Sequence, residues 1–73
     1  MVSLNTVREG KKIKIIQIDA GCGLSRRLNG MGLFVGDTVR VIQNSLGPVI
    51  IAKGDLRLAL GRGMSHKIIV EEQ

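Results

Sequence analysis

The sequence is almost without aromatic side chains, because Phe34 is the only one and there is no tryptophan or tyrosine. Barrels that bind single-stranded nucleic acid stack bases on several exposed rings, and grooves that bind proline-rich peptides are lined with aromatic side chains. A single ring supplies neither surface. The sequence therefore argues against both binding modes.

Cysteine is equally scarce, because Cys22 is the only thiol in 73 residues. A single cysteine excludes an internal disulfide and suits a reducing cytosol. The residues from Met1 to Thr6 lack the basic start and the apolar run of a signal peptide. No stretch approaches the ~18 consecutive apolar residues of a membrane span. We therefore expect a soluble cytoplasmic protein.

Groups suited to metal binding or catalysis are also few. The chain has one cysteine, one histidine (His66) and six scattered acidic residues, without a paired spacing such as Cys-x-x-Cys. Iron and zinc sites in proteins need several such groups to converge. Ser65 is the one serine beside a histidine, but neighbours in an extended turn point in opposite directions. We predict no catalytic residue, no metal site and no cofactor.

Positive charge is what the chain has in excess, since eleven lysines and arginines against six acids give a net charge of +5. Such a charge serves solubility alone, or it attracts an acidic partner: nucleic acid, an anionic lipid surface or an acidic protein. A chain of this length makes one domain, residues 1–73, with a small core. Four of the basic residues cluster near the N terminus: Arg8, Lys11, Lys12 and Lys14.

Alternating apolar residues predict a small, mainly β barrel of five strands, whose closure would remove exposed strand edges. The first strand, Lys12 to Asp19, changes phase between Ile15 and Ile16, which indicates a bulge or a bend. Gly54-Asp55 predicts a two-residue hairpin. The other strands are expected at Asp37 to Asn44, Val49 to Lys53, Leu56 to Leu60 and Lys67 to Val70, with a turn from Gly61 to Ser65.

One amphipathic helical turn is predicted before the second strand. Leu24, Leu28 and Met31 fall at helical spacing on one face, which can lie on the core. Gly30 and Gly32 are expected to end the helix in the positive-φ conformation that glycine adopts without strain.

Residues 26–37 read Arg-Arg-Leu-x-x-Met-Gly-Leu-x-x-Gly-Asp. In a chain of this size the pattern resembles the FeoA family, small accessory proteins of bacterial and archaeal ferrous iron uptake. The chain departs from the family at Gly61 and Ser65, where arginine and alanine are usual. The likeness covers most of the chain and includes Leu4, Gly10, Gly47-Pro48, Leu58-Ala59-Leu60 and Ile68-Ile69-Val70.

The resemblance implies an SH3-like β-barrel with a short helical insertion. It also implies a non-enzymatic cytoplasmic protein that binds the cytosolic, G-protein-like part of the FeoB iron transporter and modulates transport at the inner face of the membrane. The same domain type occurs in metal-dependent transcriptional repressors, so a stand-alone regulatory domain is an alternative. A basic small barrel that binds nucleic acid is a second alternative, although we expect no nucleic acid partner.

Two arginines of the helical turn are candidates for contact with that partner. Arg26 lies opposite the apolar face, where its guanidinium could bind a carboxylate or phosphate in two places. A further hypothesis is that Arg26 reaches GTP bound to the partner. Arg27 is expected to lay its methylenes on the core, with its head group solvated or paired with an acid such as Asp37.

The loop after the helix supplies the other candidates. If exposed, Leu33, Phe34 and Val35 would form an apolar patch suited to a protein partner. For Phe34, packing over one end of the barrel is an equal alternative. The predicted partner-binding residues are therefore Arg26, Arg27, Leu33, Phe34 and Val35.

Overall fold

The structure is a computed structural model that describes residues 1–18 and 21–73. Six strands in this part of the chain form one antiparallel sheet, in the order β1-β6-β2-β3-β4-β5. The predicted mainly β class is confirmed, with one strand more than expected. The elements are β1 (Val2–Ser3), a 3₁₀ turn (Leu4–Thr6), β2 (Lys12–Ile18), α1 (Gly21–Gly30), β3 (Thr38–Gln43), β4 (Val49–Lys53), β5 (Leu56–Leu60), α2 (Arg62–Ser65) and β6 (Ile68–Glu72).

Strand β2 contains the predicted bulge. Its pairing with β6 shifts register between Ile15 and Gln17, the point at which the apolar residues change phase. Ile13 and Ile15 are buried, whereas Ile18 packs from the edge of the core. The bulge therefore lets one strand serve two parts of the core. Asp19, the last residue of the predicted strand, lies outside the described residues.

The core is built from the inward faces of the strands together with one side of α1. Val39 and Val41 of β3 and Leu58 and Leu60 of β5 are buried, as their alternation predicts. The remaining buried apolar residues are Leu4, Val7, Ile13, Ile15, Leu28, Leu33, Val49, Ile51, Ile68 and Val70.

Helix α1 ends in a motif that fixes the direction of the following loop. The amide of Leu33 donates to the carbonyl of Leu28 at 2.9 Å, and the amide of Gly32 donates to that of Asn29 at 3.0 Å. These are the two hydrogen bonds of a Schellman motif, with Gly32 at φ +92°. The expectation for Gly32 is confirmed. That for Gly30 is wrong, because Gly30 is still helical and the left-handed residue comes two positions later.

Three short features complete the fold. The prediction missed β1, in which Val2 pairs with Val70 and Ser3 with Ile69. The Gly54-Asp55 hairpin between β4 and β5 is confirmed, with Gly54 at φ +59°. The predicted turn before β6 is the short helix α2, in which Ser65 is fully buried.

The hydroxyl of Ser65 donates to the Arg62 carbonyl at 3.2 Å. This bond satisfies the polar group of a fully buried side chain.

The sheet is not closed, and this corrects the expectation of a sealed barrel. In the described ladder β1 and β5 are the outer strands, and neither pairs with the other. Buried residues from β2 to β6 still form one hydrophobic core, so the barrel description is approximate.

Candidate docking surface

Of the five residues predicted to bind a partner, four are exposed. Arg26 and Arg27 are exposed on α1, and Phe34 and Val35 keep 45% and 55% of their surface accessible. The expectation that Leu33 belongs to the exposed patch is wrong, because Leu33 is fully buried. The physical reason is the Schellman motif, in which the residue after the left-handed glycine packs on the last helical turn.

The segment from Phe34 to Asp37 is held tightly by its own hydrogen bonds. The Asp37 carboxylate accepts the Phe34 amide at 2.8 Å, and the Asp37 amide donates to the Phe34 carbonyl at 3.1 Å. The segment is also tied to β2: the Gly36 amide donates to the Ile15 carbonyl at 2.8 Å, and the Ile15 amide donates to the Asp37 carbonyl at 2.9 Å. Phe34 and Val35 therefore stand on a fixed turn.

Lys53 at the end of β4 fastens this turn from the other side. Its ammonium lies 2.7 Å from the Asp37 carboxylate and donates to the Gly32 carbonyl at 2.6 Å. The same nitrogen lies 5.3 Å from the centroid of the Phe34 ring, within the range of a cation–π interaction. One side chain thus connects the helix end, the turn and the aromatic ring.

Sequence reasoning missed Lys53 and offered Arg27 as one possible partner of Asp37. The ion pair of Asp37 is with Lys53 instead, and the exposed Arg27 fits the solvated alternative. The register of β3 on β4 brings the end of β4 beside the start of β3, and that register shifts between Val41 and Gln43. No spacing in the sequence predicts this second irregularity, so no signal pointed to the pair.

The environment of Asp37 favours its ionised form. Partial burial alone would raise the pKa of Asp37, because it disfavours the charged carboxylate. The hydrogen bond from Lys53, the amide of Phe34 and the charge of Lys53 outweigh that effect and hold the pKa of Asp37 below its usual value. The turn is therefore pinned by an ion pair at neutral pH.

Leu56 is a third exposed apolar side chain at this end of the sheet. It pairs with Lys53 across the β4–β5 hairpin, and a carbon added to Gly32 would come within 3.3 Å of its Cδ2 atom. Although it alternates with the buried Leu58 and Leu60, Leu56 is 41% exposed. We call Phe34, Val35 and Leu56 the apolar patch.

The described residues also bear on metal binding and membrane insertion. Among residues 1–18 and 21–73, no three His, Cys, Asp or Glu side chains lie close enough together to hold a metal ion. His66 is exposed beside α2. No helix in the same ranges is long and apolar enough to cross a membrane.

Comparison with known proteins relates this fold to iron transport. Residues 2–72 match the FeoA domain family. A Methanocaldococcus jannaschii protein named "Putative Fe(2+) transport protein A" is 43% identical over 72 residues, covering 99% of this chain and 88% of the relative. The crystal structure of an iron uptake regulatory protein (FeoA) has a TM-score of 0.89 at 33% identity, covering 99% of this chain and 96% of that one.

A second class of structure shares the fold within longer chains. The manganese regulator SloR gives a TM-score of 0.88 at 19% identity, and the match covers 99% of this chain but 34% of SloR. At that identity the likeness shows the fold alone.

Proposed function

Because this chain belongs to the FeoA family, we propose that it is a non-enzymatic cytoplasmic accessory protein that binds the cytosolic, G-protein-like part of a FeoB-type transporter. The resemblance read from residues 26–37 is confirmed, and ferrous iron transport is the context of the family. The proposal concerns how this member acts: by protein contact that modulates transport, with GTP bound by the partner.

The observation that carries the proposal is the apolar patch on a fixed turn. Exposed apolar side chains in a cluster mark protein contact sites. Here Phe34 projects from a turn held by Asp37 and Lys53. A surface that is already ordered loses little conformational entropy on binding, so more of the contact energy appears as affinity.

The arginines of α1 extend this surface with charge. Arg26 and Arg27 are exposed on the helix whose end leads directly into the turn. A guanidinium binds a carboxylate in two places, which adds orientation to an apolar contact. An apolar patch flanked by arginines suits a partner surface with an apolar pocket and acidic neighbours.

Calorimetric titration with the isolated cytosolic domain of the cognate transporter tests the proposal. Phe34→Ala is expected to weaken binding by about 1–2 kcal/mol, and Arg26→Ala by about 1 kcal/mol, because aromatic and arginine anchors dominate such contacts. The loss on Phe34→Ala should persist at high salt, whereas that on Arg26→Ala should shrink.

Leu46→Ala and Arg8→Ala are the matched controls. Leu46 is 92% exposed and lies in the turn at the other end of the β3–β4 hairpin from Lys53. Arg8 is exposed outside α1. The proposal is wrong if the controls weaken binding as much as Phe34→Ala and Arg26→Ala, or if the wild-type protein shows no saturable binding to the transporter.

A further inference from the structure

A line of basic side chains crosses the outer face of the sheet. Lys12 of β2 pairs with Arg40 of β3, Arg40 pairs with Ala52 of β4, and Ala52 pairs with Arg57 of β5. Residues directly opposite each other on neighbouring strands project to the same face. Their neighbours Ile13, Val39, Ile51 and Leu58 are buried, so this line faces outward.

The line lies along an open cleft of about 310 Å³. Among the described residues no carboxylate lines it. Arg40 donates to the Gly10 carbonyl at 2.8 Å, and Arg57 donates to the Gly54 carbonyl at 3.2 Å. These contacts with backbone carbonyls position both guanidinium groups. Because a guanidinium has five N–H donors, each also keeps donors that can bind a ligand.

The cleft is apolar between its charges. Ala52 separates Arg40 from Arg57 in the line, and Ile42, which is 42% exposed, also lines the cleft. The register of β3 on β4 shifts beside Ile42, between Val41 and Gln43. An occupant must therefore satisfy cations at both ends and contact aliphatic carbon between them.

The spacing of the cations matches an extended polypeptide. Neighbouring strands are about 4.8 Å apart, so the backbones at Lys12 and Arg57, three strands apart, are separated by about 14 Å. An extended chain rises about 3.3 Å per residue, so side chains four residues apart on one face are separated by about 13 Å. Acidic side chains on alternate residues would thus reach both ends of the line.

We propose that this cleft binds an extended acidic segment of another protein. The occupant is a peptide because the cleft has aliphatic carbon but no ring on which a base could stack, the single aromatic Phe34 being in the turn after α1. Ile42 alone is too small an apolar anchor for a lipid surface. The proposal does not rest on the transporter, since it follows from the cleft alone.

Fluorescence anisotropy with a labelled seven-residue peptide of alternating glutamate and alanine tests the proposal at low salt. The cleft variant replaces Lys12, Arg40 and Arg57 with glutamine. The control variant replaces Arg8, Lys11 and Lys67, exposed cations outside the cleft, so that both variants lose the same charge. A peptide with glutamine in place of glutamate is the ligand control.

We expect the cleft variant to bind on the order of tenfold more weakly, because three screened ion pairs each contribute a factor of about two. The control variant should change binding by less than about twofold. Thermal melts check the fold of both. Arg57→Gln alone, on the outer strand β5, gives a second test with less risk to the fold and should weaken binding about twofold.

Equal losses in the cleft and control variants would show that net charge attracts the peptide, and would overturn the proposal. It would also be overturned if a thymidine oligonucleotide or anionic vesicles of phosphatidylglycerol bound in a cleft-dependent way while the acidic peptide did not. Failure here would leave the proposed contact of the apolar patch untouched, because this test contains no transporter.

Discussion

At the scale of single residues, the pair of Asp37 and Lys53 organises the candidate docking surface. The side chains of Asp37 and Lys53 retain 22% and 33% of their accessible surface, so water still screens their attraction. Their hydrogen bonds add direction, because Lys53 also binds the Gly32 carbonyl and Asp37 also accepts the Phe34 amide. The pair therefore contributes more to the geometry of the turn than to the stability of the fold.

The lowered pKa of Asp37 predicts a loss of stability in acid. A carboxyl whose pKa is lower in the folded protein stabilises the fold fully above its unfolded pKa, and that contribution disappears as the pH falls through the folded pKa. The loss should thus begin near pH 3.8, the usual value for this group, and be complete below its folded pKa. We expect a contribution of about 1 kcal/mol, discounted for the exposure of the pair.

Urea unfolding of wild-type protein and Asp37→Asn at pH 6 and pH 2 measures this contribution. The variant should be less stable at pH 6, and the difference should shrink toward pH 2, because protonation of the wild-type carboxyl weakens its ion pair with Lys53. A difference that is the same at both pH values would assign the effect to the shape of the side chain and contradict the electrostatic account.

At the scale of elements, the end of α1 determines which residues of the loop face outward. The left-handed glycine turns the chain so that Leu33 packs on Leu28, and Phe34 and Val35 are presented to solvent. A change at Gly32 should therefore alter both the stability of the protein and the shape of the candidate docking surface.

Gly32→Ala is expected to destabilise the protein by about 1–2 kcal/mol, because the left-handed conformation is strained for any residue with a Cβ atom. The added carbon would also approach Leu56 at 3.3 Å. Gly30→Ala is the matched control: Gly30 lacks the positive φ, and nothing lies within 4 Å of its added carbon. It should be neutral or stabilising by up to about 1 kcal/mol. If urea unfolding shows equal effects for the two substitutions, the positive φ of Gly32 is not what makes that position sensitive.

Features that depend on residues close together in the sequence could be predicted, whereas features that depend on distant residues could not. The bulge in β2 and the Gly54-Asp55 hairpin each depend on a few consecutive residues, so the sequence predicted both. Gly30 and Gly32 are two residues apart, and propensity alone cannot say which becomes left-handed. Lys53 depends on strand register, and β1 on pairing with the distant β6, so neither leaves a local pattern in the sequence.

The exposure of Leu56 was unpredictable for a related reason. Alternation placed it inward with Leu58 and Leu60, but β5 is an outer strand of an open sheet and Leu56 is its first residue. At this position the side chain of Leu56 lies beside Gly32, at the edge of the core. The exposure of Leu56 thus depends on its position at the end of an outer strand, which alternation alone does not reveal.

At the scale of the whole molecule, positive charge is poorly compensated. The chain carries a net charge of +5, and Lys12 and Arg40 are direct neighbours on adjacent strands. Like charges directly opposite each other in a sheet destabilise it, whereas the pair of Asp37 and Lys53 is attractive. Salt weakens both the repulsion and the attraction. Whether the melting temperature rises or falls with added salt therefore shows which of the two dominates.

We expect the melting temperature to rise by a few degrees between low salt and about 0.2 M sodium chloride, because screened repulsion among many cations outweighs one weakened pair. In a domain of this size about 1 kcal/mol corresponds to about 4–8 °C. The rise should be smaller in the variant with glutamine at Lys12, Arg40 and Arg57, since it has lost the repulsion that salt relieves. A melting temperature that falls with salt would mean that attractive pairs dominate. The cationic cleft would then lack the unbalanced charge on which the proposed binding of an acidic segment depends.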